Sequence, residues 1–72
     1  MIIKPAVTKL LSEYHATLTP DDIAEVLQLL QTRSKIAAIA LIRRETAFGL
    51  KEAKDIADAL EQIIQNDERQ QE

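Results

Sequence analysis

The chain has no cysteine and no tryptophan, and it has only one glycine, one phenylalanine, one tyrosine and one histidine. Each scarcity removes a possibility. Without cysteine there is neither a disulfide nor a thiolate metal site. A lone histidine leaves too few ligands for zinc, so no metal and no cofactor is expected. With aromatics at 3% and apolar residues at 46%, the core has to be built from Leu, Ile, Val and Ala. That palette, with one Gly and two Pro, favours helices over sheets. The longest apolar run, Ile36 to Ile42, is too short to cross a bilayer. The opening Met-Ile-Ile-Lys-Pro lacks the long apolar region of a secretory signal. A soluble, cytoplasmic protein with no membrane contact is the expectation.

A chain of 72 residues makes one small domain, whose core supplies on the order of 3–5 kcal/mol of net stability. Disulfides and metals being excluded, good helix packing or a second copy must make up the rest, and a homodimer is one expectation. Net charge is −3 but unevenly placed. Residues 33–54 carry Arg33, Lys35, Arg43, Arg44, Lys51 and Lys54 against Glu45 and Glu52, whereas the segments on either side are acidic. Such segregation reads either as solvated helix faces or as a docking surface for an acidic partner.

Apolar spacing predicts an all-α bundle of four helices, at about 5–16, 20–31, 35–46 and 50–65. In the first, steps of three and four join Ile3, Val7, Leu10, Leu11, Tyr14 and Leu18. Pro5 suits its first turn, and Ile2 and Ile3 either begin it or form an extended arm. His15 reads more readily as a residue of the helix end than as a catalytic one. Thr19-Pro20-Asp21-Asp22 is the clearest helix start, with a capping hydroxyl, a proline at the first position and two acids at the positive end of the dipole. Its helix would bury Ile23, Val26, Leu27 and Leu30, with Leu29 off the stripe. Ser34 can cap the third helix. Ile36 to Ile42 is apolar around nearly the whole circumference, which predicts that other helices enclose it.

Thr46-Ala47-Phe48-Gly49 is the turn, where Gly49 is the residue suited to positive φ. Phe48 either folds back as a plug between helices or projects as an anchor for a partner. The fourth helix shows the stripe Leu50, Ala53, Ile56, Ala57, Leu60, Ile63 and Ile64. On its other face Lys51–Asp55 and Lys54–Asp58 are i,i+4 pairs. The stripe's extension to Ile63 and Ile64 is the basis for expecting a dimer. Residues 67–72 read as a disordered tail.

The run Lys35-Ile-Ala-Ala-Ile, then Arg43, then Gly49-Leu50-Lys51-Glu52-Ala53-Lys54-Asp55 resembles the helix-turn-helix element of the bacterial ribosomal stalk protein's C-terminal domain. That resemblance covers residues 35–60. It implies a docking module that offers an apolar and basic surface to translation GTPases. Carried over by position, the implied contacts are Lys35, Ile36, Ile39, Arg43, Lys51, Glu52 and Lys54. The chain departs from the family where Ala40 replaces a lysine, Ala47 a turn glycine and Arg44 a small residue. The family's helix pair lies on a β-sheet, for which no strand-like segment stands here, so the first two helices or another subunit must cover that face. The same pattern also resembles, more distantly, ubiquitin-associated-like domains such as that of the nucleotide-exchanging elongation factor.

The expected function is therefore non-catalytic protein binding. The contacts are those named, together with Phe48. The partner is an acidic protein, either a translation GTPase or a bacterial or phage regulatory target. The alternative is a small dimeric helix-turn-helix regulator that binds nucleic acid. Net negative charge and few basic residues along any one element argue against it. An enzyme is not expected, because the chain offers no phosphate loop, no thiol and one histidine.

Overall fold

The computed structural model describes residues 5–70, and the side chains of residues 5–66. Four helices follow one another: α1 (Pro5–Glu13), α2 (Pro20–Gln31), α3 (Lys35–Thr46) and α4 (Leu50–Gln70). No strand occurs among the described residues. The all-α four-helix bundle expected from the apolar spacing is the observed fold.

α4 is the spine. Its 21 residues span about 30 Å, and all three other helices pack on it. α2 also packs on α3, whereas α1 packs on α4 alone. The core takes Val7 and Leu11 from α1, Val26, Leu27 and Leu30 from α2, Ala38, Leu41 and Ile42 from α3, and Ala53, Ile56, Ala57 and Leu60 from α4. Ala38 of α3 and Ala53 and Ala57 of α4 have no exposed surface, which lets the two helices approach closely. Burying each large aliphatic side chain contributes about 1.5–3 kcal/mol. Leu29, off the predicted stripe, is half-buried and packs on the same core.

Helix ends explain where the boundaries fall. Thr19 caps α2 as expected: its hydroxyl accepts the Asp22 N–H at 3.1 Å. α1 stops at Glu13, short of the expected residue 16, because His15 adopts φ 56°. The Ala16 N–H then donates back to the Leu11 carbonyl at 2.8 Å, closing a Schellman motif. α2 ends the same way, with Arg33 at φ 63° and the Ser34 N–H donating to the Leu29 carbonyl at 2.7 Å. Ser34 precedes α3 but its side chain caps nothing. Its oxygen lies instead 3.5 Å from the Thr32 hydroxyl.

The turn before α4 corrects the expectation for glycine. Ala47, not Gly49, takes the left-handed conformation, with φ 61° and ψ 13°, and its N–H bonds the Arg43 carbonyl. Gly49 has no positive φ. It stands at the cap of α4, where its carbonyl accepts the Ala53 N–H at 3.1 Å. Its own N–H donates to Glu52 Oε2 at 3.0 Å. This is the return half of a capping box.

Three further expectations give way. α3 is not enclosed: Ala38, Leu41 and Ile42 face the core, but Ile36, Ala37 and Ala40 are exposed. Three neighbouring helices would be needed to surround it, and of the described helices α2 and α4 alone touch it. Leu50 begins the α4 stripe yet is 59% exposed, since it lies at the helix's first turn. α4 continues past residue 65 to Gln70. The expected tail at 67–72 and the arm at Ile2–Ile3 otherwise lie outside the described residues.

Candidate docking surface on the α3–α4 hairpin

Five exposed residues of α3 share one stripe, Ile36, Ala37, Ala40, Arg43 and Arg44, while the exposed Glu45 lies off it in the last turn. The five positions recur at helical spacing, so they form one face opposite the core residues Ala38, Leu41 and Ile42. Ile36 is 85% exposed, an extreme value for an isoleucine. Ile39 lies at the flank, half-buried against the core. Arg43 and Arg44 occupy the last turn of α3, where cations complement the helix dipole.

Across the turn, Lys51 and Lys54 are exposed on the first two turns of α4. Neither Lys51–Asp55 nor Lys54–Asp58 closes to ion-pair distance among the described residues. Asp58 is taken instead by Lys35, which also lies 3.4 Å from Glu61. The Asp58 oxygen that faces this ammonium is itself shut off from solvent. The hydrogen bond to Asp58, against a smaller opposing effect of desolvation, raises the Lys35 pKa above 10.5. Lys35 therefore ties the start of α3 to the middle of α4 and is neutralised there.

The residues singled out from the sequence thus separate into two groups. Ile36, Arg43, Lys51 and Lys54 are exposed on the hairpin, with Ile39 at its flank. Lys35 and Glu52 work inside the fold, one as the tie to Asp58 and the other as the acceptor for the Gly49 N–H. Phe48 is half-buried and packed on the core, in keeping with the plug reading. It is turned inward by Thr46, whose hydroxyl donates to the Ile42 carbonyl at 2.6 Å and accepts the Phe48 N–H at 3.4 Å. Leu50 was missed, because a stripe position reads as core whether or not a neighbour reaches it.

A cleft of about 550 Å³ opens at the other end of the hairpin, lined by Leu30, Arg33, Lys35, Glu61 and Ile64 among others. Two of its charged groups, Lys35 and Glu61, already face each other. No three potential metal ligands cluster among the described residues. No described helix is long and apolar enough to cross a membrane. Comparison with protein-family models, with curated proteins and with solved structures gives no match.

Proposed function

We propose that this chain is a non-catalytic docking module whose α3–α4 surface receives an acidic protein partner. The observation that carries the reading is Ile36, exposed at 85%, on a face that ends in Arg43 and Arg44 and adjoins Lys51 and Lys54. Small apolar patches supply affinity once water is displaced, and cations at the rim steer an oppositely charged partner and fix its register. A second copy meeting this face through the same residues would set like charges against each other, so the partner is a different chain. Ile63 and Ile64, the basis for expecting a homodimer, pack on the monomer's own core.

The resemblance of residues 35–60 to the ribosomal stalk element supports this reading and suggests a translation GTPase as the partner. Another acidic target in a bacterial or phage regulatory complex meets the same chemistry. A cytoplasmic location goes with either. The left-handed Ala47 supports the resemblance too, since it stands where that family has a turn glycine. Nucleic acid fits the surface less well: Glu45, Glu52 and Asp55 interleave with the cations, and Arg44 lies 3.1 Å from Glu45. Phosphate binding needs an unbroken basic element.

A pull-down from bacterial lysate tests the proposal. The unmodified chain is expected to retain an acidic protein at low salt that Lys51→Glu/Lys54→Glu chain does not. Recovery of the same proteins by both would refute the basic face. Undetectable binding to random duplex DNA at low salt is also expected.

A further inference from the structure

Among the described residues, two large aliphatic side chains stand mostly in solvent, Ile36 at 85% and Leu50 at 59% exposed. Both belong to the α3–α4 hairpin. Leu50, Lys54 and Asp58 follow at one-turn steps along one edge of α4. Asp58 is tied to Lys35 of α3, so that edge borders α3. Ile36 and Arg43 stand on the α3 face beside it. The helices run antiparallel, because the first residue of α3 meets the middle of α4 while the short turn joins the other ends. Ile36 and Leu50 therefore mark opposite ends of one surface, about 15 Å apart along the α3 axis. Arg43 and Lys54 lie between them, and the exposed Ala40 leaves room above.

No described residue covers the exposed part of Leu50, and burying it would contribute to binding. We infer, building on the docking reading above, that Leu50 is a second anchor. We infer further that the partner segment is an acidic amphipathic helix of about three turns, apolar at both ends and carboxylate-bearing between. The spacing selects a helix. About eleven residues make three turns and return to the same face, with room for two carboxylates between the anchors. An extended strand covers 15 Å in about four to five residues and places a single same-face side chain there. A groove that takes the apolar face of a helix is a recurring mode of recognition.

The test uses the full chain and a synthetic helical peptide. The peptide carries two leucines about eleven residues apart, with glutamates on the same face between them. Fluorescence anisotropy is expected to show salt-dependent binding, weakened at least about fivefold by Leu50→Ala with an unchanged thermal melt. In the Leu50→Ala chain, replacing one of the peptide's two leucines by alanine should cost little further, which marks the pair in contact. If Leu50→Ala binds as the unmodified chain does while Arg43→Glu weakens binding, the docking surface stands and the second anchor falls. Tighter binding by a peptide with its leucines about four residues apart, at extended spacing, overturns the helical partner. No binding by either peptide counts against both readings.

Discussion

Replacing Ala47 with glycine should stabilise the protein, whereas replacing the natural Gly49 with alanine should cost little. Ala47 sits at φ 61°, where an L-residue with a Cβ pays about 1–2 kcal/mol. Glycine removes that penalty but raises the unfolded chain's entropy, which offsets about 0.4–1 kcal/mol. The net gain is about 0.5–1 kcal/mol, worth about 3–7 °C in Tm for a domain of this size. Gly49 lacks a positive φ. An added Cβ would meet only Glu52 Oε2, at 2.9 Å, and this carboxylate ends a flexible side chain. Gly49→Ala should therefore lower stability only by the poorer capping of alanine, about 0.5 kcal/mol. Thermal melts followed by circular dichroism at 222 nm, with urea midpoints at constant m-value, read both changes. Were Gly49 the left-handed residue of this turn, Ala47→Gly would instead lower Tm, and Gly49→Ala would cost the larger amount of about 1–2 kcal/mol. That pattern would refute the assignment of the turn.

The same physics sets the remaining expectations. Ile56→Ala removes a side chain with no exposed surface from the helix on which the other three pack. A loss of about 2–5 kcal/mol against a small net stability should leave the chain largely unfolded at 25 °C, read as lost cooperativity in urea. Lys35 gains its raised pKa from Asp58 in the folded state. Its contribution is therefore full below pH 10.5 and is lost as pH rises through the higher folded value. The stability gap between the unmodified chain and Lys35→Met should accordingly be present at pH 9 and shrink at pH 11 and above. A gap that grows with pH would show that the tie works by something other than charge.

The helices were legible because apolar residues at three- and four-residue spacing survive any detail of packing. Thr19 and Pro20 were legible because capping is local chemistry. The left-handed residues were not, since composition points to glycine while the fold places His15, Arg33 and Ala47 there. Each ends a helix where a backbone hydrogen bond from that residue or the next closes the last turn. The openness of α3 was hidden because an all-apolar sequence says nothing of how many neighbours arrive. Lys35 looked like a free cation because its partners, Asp58 and Glu61, lie far along the chain. Of the candidate site, Ile36, Arg43, Lys51 and Lys54 could be read from pattern and resemblance. Leu50 could not, because its exposure depends on where the neighbouring helices stop.

The most direct test of the docking surface is the recovery of bound protein by Ile36→Asp chain, measured beside its thermal melt. Ile36 is almost wholly in solvent, so the melt should match that of the unmodified chain. An added carboxylate on an apolar face built for an acidic partner should abolish recovery of that partner. Undiminished recovery by a fully folded Ile36→Asp chain would contradict the assignment of function to the α3–α4 surface.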